Sequence, residues 1–262
     1  MKCRTPFLAL GTAILVATFQ PAESLAQNSA KQRKSNKVSS PAKGRHYVRK
    51  SFSAKDGTAI DYWLMSPAKI EKSRKYPLVL ALHGRGGNTQ AGNELGSTAL
   101  RKQFPCFVLA PASTRAGTWL IPPGFDWKPR KAMLPTALEA MDAIIKKHAV
   151  NPDRVYVTGQ SMGGVGTFGA LFLRPDTFAA AMPVCGGWDP KDAGKMRNVA
   201  LWVFHGDNDK VVPTDYSRKM VAAIKQAGGS VKYTEYEGVG HNSWTQSYES
   251  PETWKWLFQQ KR

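Results

Sequence analysis

The stretch from Arg154 to Leu173 constrains the chain more than any other part of it. Val155, Tyr156 and Val157 are β-branched or aromatic residues in a short apolar run, the pattern of a buried strand. Gly159-Gln160-Ser161-Met162-Gly163 follows at once, and after it comes an apolar segment with helical spacing. Strand, tight turn and helix in that order, with a serine at the apex, is the context in which G-x-S-x-G reads as a nucleophile elbow. The glycines have a steric reason. A serine on so sharp a turn is strained, and side chains at the flanking positions would strike neighbouring backbone. The helix that starts beside Ser161 points its positive end at the reacting centre, where negative charge would develop. A phosphate-cradling loop is the competing reading, but no Lys-Ser or Lys-Thr pair follows the glycines.

The chain has 262 residues, enough for one α/β domain with a full core. Residues 47–53 and 58–65 alternate and join at Asp56-Gly57, which predicts an antiparallel hairpin. Residues 76–83 form a continuous apolar run, the pattern of a strand covered on both faces. Further strands are expected at 106–110, 178–184, 200–204 and 231–236, with Asn151-Pro152-Asp153-Arg154 turning the chain into the elbow strand. Helices are expected over 93–103, 131–148, 214–227 and 251–260. Strands and helices alternate, so residues 47–262 read as one α/β domain. Its mainly parallel sheet would carry helices on both faces and an N-terminal hairpin.

The first residues read differently. Lys2 and Arg4 precede an apolar run from Phe7 to Phe19, and Ser24-Leu25-Ala26 offers a small-residue cleavage site. Residues 1–26 are expected to be a signal peptide cut after Ala26, sending the protein to the periplasm or outside the cell. About 13 apolar residues are too few to span a bilayer, so no membrane span is expected once the signal is removed. The formal charge is +18, and residues 27–46 carry much of it with no acidic residue between Gln27 and Lys50. That segment reads as a flexible basic arm suited to an anionic surface polymer, or as a solvated linker. Without interleaved aromatics before Tyr47 it does not read as a nucleic-acid site. Cys106 and Cys185 fall at opposite ends of parallel strands, which predicts two buried thiols rather than a disulfide.

A serine hydroxyl needs a base, and the base needs an orienting acid. The carboxyl ends of the later strands supply both, which is where an open α/β sheet places its site. His205-Gly206-Asp207-Asn208-Asp209 follows one strand and Glu237-Gly238-Val239-Gly240-His241 follows the next. His241 is the expected base. His148 follows two lysines at a helix end, and His83 and His205 read as residues that hold loops by hydrogen bonds. Spacing does not choose between Asp207 and Asp209 as the acid.

Leu82-His83-Gly84, Gly159 to Gly164, His205-Gly-x-x-Asp209-x-x-Val212-Pro213 and Gly238-Val-Gly-His241 together resemble the α/β-hydrolase superfamily. The nearest likeness is to its secreted carboxylesterases of feruloyl esterase, polyhydroxybutyrate depolymerase and phospholipase/carboxylesterase type. The resemblance implies Asp209 as the acid, with Asp207 the runner-up, and the chain order Ser161, Asp209, His241. It also implies an oxyanion hole from the backbone N–H groups of Met162 and Arg85, although many relatives carry a small or apolar residue at the Arg85 position. The Arg85 side chain reads as directed to solvent rather than to an anionic substrate group. Trp119, Trp127, Trp188 and Trp244 lie on predicted loops and are candidate substrate contacts for sugar or phenolic rings, with at least two expected to cover the sheet instead. The activity implied is hydrolysis of a carboxylic ester through an acyl-enzyme, with no metal or organic cofactor, the preferred substrate being an acetylated or feruloylated polysaccharide. Two competitors stand beside it: a serine peptidase of prolyl oligopeptidase type, and a non-catalytic polysaccharide-binding protein.

Overall fold

The computed structural model describes residues 46–113, 117–125, 127, 128 and 130–262. The expected signal peptide, and the basic arm apart from His46, lie outside the described residues. An eight-stranded sheet runs through the described residues in the order β1-β2-β4-β3-β7-β8-β9-β10. Its strands are β1 (Tyr47–Ser53), β2 (Ala59–Met65), β3 (Tyr76–Leu82), β4 (Phe107–Ala112), β7 (Val150–Gln160), β8 (Ala180–Val184), β9 (Ala200–Gly206) and β10 (Val231–Tyr236). The hairpin β1-β2 is antiparallel, and β2 meets β4 antiparallel. Every other pairing from β4 to β10 is parallel. Two short strands, β5 (Gly117–Thr118) and β6 (Lys131–Ala132), pair beside the sheet inside the section expected to be irregular.

Alternation along β3 shows how the sheet is covered. Leu78, Leu80 and Leu82 face a cluster with α3 (Leu134–Lys147), α4 (Met162–Leu173) and α5 (Asp215–Gln226). Val79 and Ala81 face the opposite cluster, with α1 (Gln90–Leu95) and α7 (Pro251–Gln259). All seven residues of β3 are buried, because a central strand in a two-sided sheet has no polar face to spare.

Three elements depart from the sequence expectation. The helix expected over 93–103 is broken into α1 and α2 (Thr98–Gln103). Gly96 ends the first, and Ser97 caps the second by accepting from the Leu100 N–H at 3.3 Å. The turn expected at 151–154 is instead part of β7. Tyr76 pairs with Val150 but Leu78 with Val155, so Asn151–Arg154 bulge out of an otherwise continuous ladder. A short helix, α6 (Trp244–Glu249), follows His241 where no element was expected.

The last two helices tie into the strand that leads to Ser161. The Tyr156 hydroxyl donates to Gln260 O at 2.8 Å, and Tyr248 OH lies 2.7 Å from Thr158 Oγ1. Trp254 is fully buried, stacks on Tyr248 and donates its Nε1 hydrogen to Tyr248 O at 2.7 Å. One edge strand, β10, is held from one face by α5, where Arg218 binds both oxygens of Glu235; on the other face the Lys232 ammonium sits 3.6 Å from the Trp202 ring centre of β9. Among the described residues no helix is long and apolar enough to cross a membrane.

Replacing Trp254 by Ala is expected to cost about 3–5 kcal/mol of folding stability, read from urea unfolding. A loss below about 1 kcal/mol would mean that the terminal helices do not support the sheet.

Candidate active site

Ser161 caps α4 at the carboxyl end of β7 with φ 55° and ψ −119°, a conformation that costs a non-glycine residue energy. It persists because its surroundings fix it. The Ser161 N–H donates to Val184 O at 3.0 Å and also reaches Cys185 Sγ at 3.3 Å. Its neighbours are glycines for measurable reasons. A Cβ on Gly163 would stand 2.1 Å from Leu82 O, and one on Gly164 would stand 2.3 Å from Val184 O. A Cβ on Gly159 would lie 2.5 Å from Gly163 O. The helix therefore sits directly on the backbone of β3 and β8.

The structure brings His241 and Asp209 to this serine. His241 Nε2 lies 2.9 Å from Ser161 Oγ, and His241 Nδ1 lies 2.7 Å from Asp209 Oδ2. An ionised carboxylate can only accept, so Nδ1 carries the hydrogen and Nε2 presents its lone pair to the serine hydroxyl. Asp209 Oδ1 accepts the N–H groups of Val211 and Val212 at 2.8 and 2.9 Å. Burial pushes the Asp209 carboxyl up, but hydrogen bonds from His205, His241 and these two amides outweigh it and hold it well below the usual carboxylate range. Asp207, on the same loop, is exposed.

The acid and base loops are stitched together. The Asn208 N–H donates to Val239 O at 3.0 Å, and a Cβ on Gly206 would lie 2.2 Å from that same oxygen. Gly238 takes φ 67° to bring His241 back over the sheet. Trp244 sets its ring edge to face against His241, with centroids 5.2 Å apart.

The loop after β3 passes beside the serine: a Cβ on Gly84 would be 3.7 Å from Ser161 Cβ. Arg85 follows with an exposed side chain, whereas Met162 is buried at the first turn of α4. His83 shapes that loop. Its Nδ1 hydrogen goes to Gly84 O at 2.6 Å, and its Nε2 accepts from the Ser113 N–H at 3.0 Å.

The four tryptophans divide. Trp119 and Trp188, expected as possible substrate contacts, are both buried, and neither presents a ring to solvent. Trp119 donates to His83 O at 2.8 Å, and Trp188 donates to Asp192 Oδ2 at 3.0 Å. Their rings fill gaps on α4, where a Cβ on Gly166 would meet Trp119 at 2.7 Å and one on Gly169 would meet Trp188 at 3.0 Å. Trp127 and Trp244 remain partly open, Trp127 resting on Phe125, which stacks on Tyr216.

Two contacts were not anticipated from sequence. Cys185, with φ 39°, places its buried thiol under the Ser161 amide, and burial pushes that thiol well above its usual range. His205 reaches Asp209 Oδ2 at 3.2 Å. Cys185, Asp209 and His241 offer ligand atoms within 4.8 Å of one another. That donor set suits proton transfer better than a metal, since the imidazole and carboxylate are bonded to each other and the thiol is held protonated.

The chain is similar to known hydrolases. The sequence profile of the Prolyl oligopeptidase family matches residues 129–196. The probable carboxylesterase SOBER1-like of Arabidopsis thaliana is 30% identical over 67% of this chain and 76% of its own. The probable feruloyl esterase C of Aspergillus terreus is 26% identical over 64% of this chain and 62% of its own. Among solved structures, a thermostable esterase superposes with a TM-score of 0.77 at 34% identity, covering 83% of this chain and 64% of that one.

His83 carries a pH signature. Burial pulls its pKa down to about 4, against the Gly84 hydrogen bond that favours the charged form. The unfolded chain, titrating near about 6.5, binds the proton more readily, so stability is complete above that pH and falls as the pH drops through about 4. The loss from this group is expected to total about 3 kcal/mol. Urea unfolding of His83→Gln should show a correspondingly shallower decline between those limits than the parent; equal declines would refute the assignment.

Proposed function

We propose that this chain, which belongs to the carboxylesterase group of the α/β-hydrolase superfamily, hydrolyses carboxylic esters through an acyl-enzyme formed on Ser161. The observation that carries the reading is the continuous contact from Asp209 through His241 to Ser161 Oγ, at 2.7 and 2.9 Å. His241 Nε2 takes the hydroxyl proton as Oγ attacks the ester carbonyl carbon. Asp209 holds the imidazole in the tautomer that leaves Nε2 free and stabilises the cation that results. The tetrahedral oxyanion is held by the N–H groups of Met162 and Arg85, and the positive end of α4 lies behind it. The Nε2 proton passes to the departing alcohol oxygen as the C–O bond breaks. Water then loses a proton to Nε2, attacks the acyl carbon and frees the acid, returning the proton to Ser161.

For the substrate we propose acyl esters of polysaccharide, acetyl or feruloyl. Support comes from the feruloyl esterase relative and from a bifunctional acetylxylan esterase/xylanase of Neocallimastix patriciarum, 27% identical over 62% of this chain and 23% of its own. Of the four tryptophans, Trp127 and Trp244 are open enough to receive such groups. Export through residues 1–26, and an anionic surface polymer on the basic arm, belong to the same proposal. The peptidase alternative draws on the family profile match, but residues 129–196 include neither Asp209 nor His241.

A fluorophosphonate is expected to label the protein at Ser161, and Ser161→Ala to lose turnover of aryl acetates by roughly a thousandfold or more with its unfolding midpoint preserved. Methyl ferulate and aryl acetates should be turned over in preference to aminoacyl amides. Faster amide cleavage would transfer the reading to the peptidase class, and an unlabelled serine would end it.

A further inference from the structure

His205, next to last in β9, is fully buried, and both of its ring nitrogens have polar partners. Nε2 lies 2.9 Å from Val212 O and 3.2 Å from Asp209 Oδ2. Both partners are acceptors, so Nε2 carries a hydrogen whether the ring is neutral or charged. Nδ1 lies 2.7 Å from Ser217 Oγ on α5, and that oxygen lies 2.8 Å from Gly186 O. Gly186 is the residue after Cys185, and a Cβ there would stand 2.4 Å from Gly164 C. One imidazole thus joins the acid loop, α5 and the turn that packs against the nucleophile helix.

The consequence falls on one oxygen. Asp209 Oδ2 receives a hydrogen from His205 on one side and from His241 on the other, while Oδ1 is engaged by two amides. A carboxylate held at both oxygens cannot rotate without breaking several bonds at once. An oxygen shared between two donors also attracts each less than it would attract one alone. The other ionisable groups near His205 are Glu235, opposite it on β10 and engaged by Arg218, and the Cys185 thiol beyond Asp209.

We propose that His205 is a positioning residue for this hydrolysis: its Nε2 hydrogen fixes Asp209 Oδ2 in the orientation that meets His241 and moderates the pull of that oxygen on the imidazole. The proposal rests on Ser161, His241 and Asp209 being the working groups. Labelling of the parent protein at Ser161 tests that premise separately.

Two substitutions separate positioning from mere filling of space. Asn at position 205 ends near the former Nδ1, within reach of Ser217 but short of Asp209; Gln extends an amide N–H toward Asp209. His205→Asn is expected to lower kcat on an aryl acetate by about tenfold or more with KM within about twofold. His205→Gln should recover most of that loss. The acid limb of the kcat/KM profile should move to higher pH in His205→Asn, because a carboxylate relieved of one donor holds the His241 cation more firmly. Nitrogen-15 histidine spectra of the parent protein should show a hydrogen on His205 Nε2 at neutral pH, a readout that stands even if His205→Asn fails to fold. An unprotonated Nε2, or Asn and Gln variants with equal kcat and an unmoved acid limb, would overturn the proposal.

Discussion

Backbone touches backbone around Ser161, and the rest of the site follows from that contact. Gly163 lies against Leu82 O, Gly164 against Val184 O, and Gly159 against Gly163 O, at distances no side chain could occupy. The approach brings the first turn of α4 to the ends of β3 and β8 and leaves the serine no ordinary conformation to relax into. Its N–H is anchored on β8, so the strained turn is bound at both ends. A slightly more distant helix would lower the strain, but it would also move the α4 amides away from the hydroxyl they accompany.

The acid and base meet the serine through a second constraint. Their loops leave adjacent strands, β9 and β10, and cross-bond through Asn208 and Val239 before either side chain is set. Asp209 then spends one carboxylate oxygen on the amides of its own turn and turns the other toward the histidines. Placing that charge in a buried site is unfavourable until these donors surround it. The same donors that keep it ionised also aim it.

Much of this arrangement was legible in the sequence because it depends on periodicity and on glycine. The continuous apolar run at 76–82 is a central strand, and the alternation before it is the hairpin. What spacing could not give was direction. Asp207 and Asp209 are equivalent by position along the chain, and only the turn at Val211 and Val212 points one outward and the other inward. Trp119 and Trp188 read as loop residues since they fall beyond predicted strand ends, among prolines and glycines. The signal that they are internal was elsewhere, in Gly166 and Gly169, spaced to open one side of α4 to large rings. The break in the 93–103 helix was likewise visible as Gly96-Ser97, a stop followed by a cap.

The clamp on the open edge of the sheet bears on how the molecule behaves in company. An unpaired strand offers its amides and carbonyls to any other extended segment, including the same strand of a neighbour. On β10 the edge carries charge: the Arg218 guanidinium binds Glu235 on one face, and Lys232 lies over Trp202 of β9 on the other. Charge set beside an edge strand disfavours edge-to-edge pairing there, and β10 lies at the far flank of the sheet from the hairpin.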